Sequence, residues 1–165
     1  MSGSEKPQPQ RGPDTNVTAP RTRFTKRISY SVWGRRAEAA ARELYGLFGK
    51  QHSFVTLHTY SRHDGDPIGA MKRGTSQSVD FYLCPFNHEP TAAQFAVGKQ
   101  MVAYACRNWS RLGLDKIVWN NAYTRNGRDW YDYRPYIKRY KHWGLAKAPD
   151  KAHRNHPHMR FGVWR

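Results

Sequence analysis

The sequence predicts an α+β domain: a small, mainly antiparallel sheet with two principal helices packed on one of its faces. Two stretches carry apolar residues at helical spacing, over residues 35–48 and 90–112. Short runs rich in β-branched and aromatic residues alternate with them, at 54–60, 78–83, 115–120 and 158–163. A chain of 165 residues has room for one domain with a real core. Residues 1–22 are rich in Ser, Pro, Gln, Gly, Asn and Thr and nearly lack large apolar groups, so they read as a disordered basic tail. That leaves 23–165 as a single domain.

In chain order, the basic and aromatic run Arg23 to Tyr30 leads into the domain. The first helix places Ala37, Ala40, Ala41, Leu44, Leu47 and Phe48 on one face, and Gly49 is the natural C-terminal cap. A strand over 54–60 is followed by a polar, glycine-rich loop over 61–76, long enough to suggest function rather than architecture. The second strand, 78–83, points Val79, Phe81 and Leu83 inward and Asp80 outward. Pro90 and Thr91 open the second helix, whose Phe95, Gly98, Met101, Val102, Ala105, Trp109 and Leu112 trace one face until Gly113 ends it. A third strand covers 115–120, with Trp119 expected to pack under the site. The aromatic and basic region 121–148 fits neither helix nor strand by pattern; for its stretch 130–143, core packing with solvated cationic faces is favoured over rings that stack on sugars or bases.

The 28 Lys and Arg against 12 Asp and Glu give a net charge of +16, which predicts attraction to a polyanion such as nucleic acid, an anionic membrane or a wall carrying teichoic acids. Residues 134–165 alone carry nine Lys or Arg against one Asp. Cys84 and Cys106 stand apart with no Cys-x-x-Cys spacing, so they read as buried thiols and not as zinc ligands. No apolar leader and no run of about 18 apolar residues is written here, so neither export by a signal peptide nor membrane spanning is expected.

The last strand carries the densest chemistry. His153, His156 and His158 fall within six residues, and the alternation after them sends Met159, Phe161 and Val163 one way and His158, Arg160 and Trp164 the other. His156 and His158 share the outward face, as a metal ligand and a proton-transfer group would. A catalytic zinc site takes three protein ligands and leaves a fourth position to water. The chain offers His63 in the loop after the first strand, Asp80, His156 and His158, with His58 as a rival to His63. The bland alternatives are exposed histidines in a basic segment and an Asp80 paired with an arginine.

The order His, Asp, His-x-His resembles the zinc peptidase superfamily of D-Ala-D-Ala carboxypeptidases, lysostaphin and the hedgehog fold. More closely, residues 107–120 (RNWSRLGLDKIVWN), the aromatic turn after them and the ending HRNHPHMRF resemble a D-Ala-D-Ala carboxypeptidase-like domain of actinobacteria and their phages, over roughly 54–161. The resemblance implies a zinc-dependent hydrolase of peptidoglycan peptides with its metal at the sheet edge. It implies His63, Asp80 and His158 as the Zn2+ ligands and His156 as the catalytic or oxyanion-stabilising group, with His153 and Asn155 as further catalytic candidates. The family's first motif, Ser-x-His-x-x-Gly-x-Ala-x-Asp, has Arg73 at its His and Ser76 at its Gly here. His63 lies seventeen residues before Asp80, so it fills the role if 64–74 is an inserted loop.

With no leader, such an enzyme would sit in the host cytoplasm until a holin releases it, or travel in a virion, and its partners would be peptidoglycan and an anionic polymer. Asn155 stands where related domains carry Asp and the carboxypeptidases carry a Glu base. An amide is no general base, so the competing reading is a catalytically degraded, basic module binding nucleic acid or cell wall. A His-x-His nuclease would place its tyrosine after the histidines, where only residues 159–165 remain.

Overall fold

The computed structural model describes residues 29–59, 66, 69–135, 149–150 and 152–162. The tail 1–22, His63, most of the loop 61–68, the basic aromatic stretch 136–148 and Val163 and Trp164 lie outside the described residues.

The first helix, α1 (Arg35–Leu44), buries Ala37, Ala40, Ala41 and Leu44, the small-residue face that its spacing anticipates. It then widens into a π-helical turn, Tyr45–Gly49, instead of continuing as α-helix to Phe48. Gly49 is not the expected left-handed cap. A Cβ there would lie 2.1 Å from Cδ2 of Tyr45, so the glycine makes room for that ring. Strand β1 (Thr56–His58) is shorter than the run 54–60, and β2 (Ser78–Tyr82) is buried along its whole length.

Helix α2 (Ala92–Arg107) starts with a capping box: the Gln94 amide donates to Thr91 Oγ1 at 3.2 Å and the Thr91 amide to Gln94 Oε1 at 2.8 Å. It does not run unbroken to Leu112. Asn108 leaves helical geometry (φ −105°, ψ 22°) while its side-chain amide donates to the Tyr104 carbonyl at 3.0 Å, so the helix ends there and a short α3 (Trp109–Leu112) follows. Gly113, at φ 70°, closes that turn in the left-handed conformation expected of it.

Strand β3 (Leu114–Trp119) then turns directly into β4 (Ala122–Thr124), and β5 (Trp130–Asp132) follows, within the region whose pattern gave no assignment. The β3–β4 turn consists of Asn120 and Asn121, both left-handed at φ 48° and 61°, the backbone twist of a two-residue type I′ hairpin. In the β4–β5 turn, Gly127 supplies φ 73° and Asn126 Oδ1 accepts from the amides of Arg128 and Asp129, each at 2.9 Å.

Strand β6 (His158–Phe161) completes one six-stranded sheet of order β1-β2-β6-β3-β4-β5, antiparallel at every pairing. One face carries Leu57, Val79, Phe81, Met159, Phe161, Ile117 and Trp119 and meets both main helices in a single core. Helix α2 comes close because Gly98 has no side chain. A Cβ there would sit 2.6 Å from both Leu83 Cδ1 and Trp119 Cη2. Gly98→Ala is therefore expected to destabilise the protein by about 1–2 kcal/mol, overpacking outweighing the roughly 1 kcal/mol that alanine gains in a helix. A thermal melt checks this, and a raised Tm would contradict it.

His52 lies buried after the π-turn, its ring stacked on Phe54 at 5.4 Å, and its Nδ1 has no hydrogen-bond partner among the described residues. Burial lowers its pKa below the ordinary 6.5. The unfolded chain thus binds a proton that the folded chain resists, and stability is lost as pH falls below 6.5. In His52→Phe this part of the acid sensitivity should disappear, as urea denaturation at about pH 7.5 and about pH 5, on either side of the ordinary histidine pKa, would show.

Candidate functional site

The sheet's other face assembles the polar residues. Antiparallel register sets His58 opposite Asp80 on β1 and β2, and Asp80 opposite His158 on β2 and β6. His158 Nδ1–H donates to Asp80 Oδ1 at 2.8 Å, the carboxylate being able only to accept. The two side chains are 1% and 2% exposed at residue level, so the face read as outward is turned away from the helices but not toward solvent. Nor is the pair at the sheet edge. Strands β2 and β6 are second and third in the order, because the C-terminal strand inserts between β2 and β3.

His156 precedes β6 and is held there by backbone bonds that prolong the β2 pairing. The Phe81 amide donates to the Pro157 carbonyl at 3.0 Å, and that of Leu83 to Asn155 at 2.9 Å. Its Nε2 stands 3.9 Å from Asp80 Oδ1. Tyr82, two residues beyond Asp80 on the same face, lies parallel to the imidazole with centroids 4.2 Å apart and planes at 15°. The other nitrogen, Nδ1, donates to Asn155 Oδ1 at 2.8 Å. Asn155 in turn donates through Nδ2 to Asp150 Oδ1.

Asn155, one of the sequence candidates for a catalytic group, is completely buried and reaches the site only through His156. It fixes the tautomer of that ring, with the carboxylate standing one link further back at Asp150. His153 is held left-handed at φ 52° while its carbonyl accepts from Asn120 N at 2.9 Å, and Ala152 accepts from Asn121 N at 2.7 Å. The asparagine turn thereby anchors the histidine segment. The His153 ring lies 4.6 Å from that of His156 and 5.7 Å from that of His158. Tyr133 also meets the His153 ring, edge-on at 5.3 Å.

His58 shares the cross-strand row, yet its Nε2 meets Thr56 Oγ1 at 3.1 Å and its ring packs edge-on with Tyr82 and Phe86. His63 lies outside the described residues. Among the described residues, no group of three His, Cys, Asp or Glu side chains could hold a metal ion. The part of the expected ligand set that falls within them is Asp80 with His158. Two ligands each about 2 Å from one tetrahedral ion stand roughly 3.3 Å apart. The observed 2.8 Å oxygen–nitrogen pair therefore needs little spreading to share one, and carboxylate with imidazole suits zinc.

Cys84 and Cys106 take no part. Both are free thiols, that of Cys84 donating to the His88 carbonyl at 3.3 Å and that of Cys106 pushed by burial up to about 12. Trp119 packs on the helix side of the sheet, stacked on Phe95 at 5.0 Å. No helix among the described residues is long and apolar enough to cross a membrane. No protein-family model, curated protein or solved structure matches the chain.

Two residues escaped sequence reasoning, Tyr82 and Asp150. Tyr82 had a signal, since i and i+2 of a strand share a face. Asp150 had none, because its partner is set by the chain reversal before Asn155. Asn155→Asp would set two carboxylates against each other in a largely buried place and should cost about 2–3 kcal/mol, with Asp150→Asn added on top restoring most of it. A double-mutant cycle by denaturant unfolding measures the coupling, and additive effects would contradict the pairing.

Proposed function

We propose that this chain is a zinc-dependent peptidase of the D-Ala-D-Ala carboxypeptidase-like group, hydrolysing amide bonds in the stem or cross-link peptides of bacterial peptidoglycan, as a phage lysin or virion-associated lysin does. The observation that carries the reading is the buried convergence of Asp80, His158 and His156, the carboxylate 2.8 Å from one imidazole and 3.9 Å from the other. His63, Asp80 and His158 would hold the metal. Bound there, zinc supplies an acidified water and polarises the scissile carbonyl.

The chain's own groups do the rest. Asn155 holds the proton on His156 Nδ1, which leaves Nε2 as the nitrogen that gives or takes a proton on the Asp80 side of the ring. The stacked Tyr82 ring restrains that imidazole from turning away. Closure of the pair from solvent strengthens its electrostatic effect on developing charge. The +16 charge favours approach to an anionic wall.

The competing reading, a basic binding module without turnover, is favoured by Asn155, which supplies no carboxyl base at its own position. Purified protein separates the two. Metal analysis with muropeptide digestion is expected to show one zinc per chain and amide cleavage, both lost in His158→Ala. His156→Ala is expected to keep its zinc while cleaving about 10²- to 10⁴-fold more slowly, the range of general acid–base contributions. Metal-free protein without cleavage would sink the proposal.

A further inference from the structure

The row that sets Asp80 opposite His158 does not stop at that pair. Val118 lies opposite His158 on β3, Tyr123 opposite Val118 on β4, and Tyr131 opposite Tyr123 on β5. With His58 at its other end, the row takes one residue from every strand of the sheet, on the face turned away from the helices. Neighbouring strands lie about 4.8 Å apart, so three strand spacings put Tyr131 roughly 14 Å from His158. A second connection runs through the rings. Tyr131 meets Tyr123 at 5.6 Å, Tyr123 meets Tyr133 at 6.3 Å, Tyr133 meets His153 at 5.3 Å and His153 meets His156 at 4.6 Å.

The outer end of this row is open. Trp130 and Tyr131 point to opposite faces of β5, which ends the strand order. Trp130 joins the core, whereas Tyr131, at 53%, is the most exposed large apolar side chain among the described residues. Packing accounts for the first and not for the second. The half-buried Tyr123 ring backs that of Tyr131, with the planes at 35°. Such a ring is a flat apolar plate with a polar rim, and with two side-chain torsions it loses little conformational freedom when a ligand covers it.

We propose that Tyr131, backed by Tyr123, is a saccharide subsite that stacks a pyranose ring of the glycan from which the scissile stem peptide hangs. The choice of ligand rests on the peptidase reading. The C–H face of a pyranose meets the negative face of an aromatic ring favourably, without any charge on the sugar. The spacing fits the same substrate. An extended peptide covers about 3.3–3.6 Å per residue, so about four residues bridge the roughly 14 Å from Tyr131 to His158. A stem peptide held by its sugar on the tyrosine thus presents a bond near its far end to Asp80, His156 and His158. Affinity gained at the sugar comes from a part of the substrate remote from the reacting carbonyl.

The test uses the full chain and two probes. The first is a β-1,4-linked N-acetylglucosamine tetramer, which carries no stem peptide and is read at equilibrium by saturation-transfer NMR. Native protein is expected to bind it, Tyr131→Phe to bind it alike, and Tyr131→Ala to bind it about three- to tenfold more weakly, the worth of one stacked ring. The second is digestion of a muropeptide beside its sugar-free stem peptide. Tyr131→Ala is expected to raise KM about three- to tenfold on the muropeptide with kcat unchanged, and to leave the free peptide unaffected. Sugar binding that depends on Tyr131 in a protein that cleaves neither probe would uphold the subsite while sinking the peptidase. Cleavage without Tyr131-dependent sugar binding would overturn the subsite alone. Absence of sugar binding by the native chain, an equal rise in KM on the free peptide, or Tyr131-dependent binding of an oligothymidylate in place of the sugar would overturn it as well.

Discussion

Antiparallel pairing of β2 with β6 sets Asp80 directly opposite His158 across 78 residues of chain, and the candidate site depends on that register. The same alternation buries Val79 and Phe81 of β2 and Met159 and Phe161 of β6 against the helices. A slip of one residue would turn the carboxylate and the imidazole into the apolar core and the apolar set onto the histidine face. Burial of the apolar face therefore protects the geometry of the polar one. Gly98 contributes from a distance, since it lets α2 pack closely on Leu83 and Trp119 of the sheet's helix-facing side.

Two short polar chains then position the imidazoles. One is direct, from Asp80 to His158. The other runs from Asp150 through Asn155 to His156, so a carboxylate still stands behind that ring although an amide occupies the adjoining position. An amide with both its oxygen and its nitrogen engaged can order a neighbour as firmly as a carboxylate, while placing the negative charge further from the ring. Asn155 thus fits a working arrangement as a positioning residue, which weakens the case for a retired site that rests on its chemistry alone.

Local signals in the sequence foretold the elements that local interactions decide. The opening of α2 at Thr91, the stop at Gly113 and the period-2 alternation of β2 and β6 are each decided within a few residues, and each took the form its pattern implies. Where the chain departed from expectation, the cause was usually a contact that sequence spacing does not display. Tyr45 occupies the space at Gly49, the Asn108 side chain competes with its own helix, and Asn120 and Asn121 adopt left-handed backbone where a glycine would have marked the hairpin. At the site, Asp80, His156 and His158 were legible because period-2 alternation, on β2 and on the segment that ends in β6, sets each of them on the face away from the helices. Asp150 and the Tyr82 stack were not, and His63 falls where nothing is described. The position of the pair inside the sheet, and not at its edge, follows from strand order, which hydrophobic period alone does not encode.

Whether Asp80 and His158 share one ion is the claim on which the functional account turns, and X-ray absorption at the zinc edge of the metal-loaded chain addresses it most directly. The account predicts a four-coordinate shell of nitrogen and oxygen at about 2.0–2.1 Å with two imidazoles, and no such bound zinc in His158→Ala. A sulfur shell near 2.3 Å, or a zinc shell unchanged by loss of His158, would contradict it.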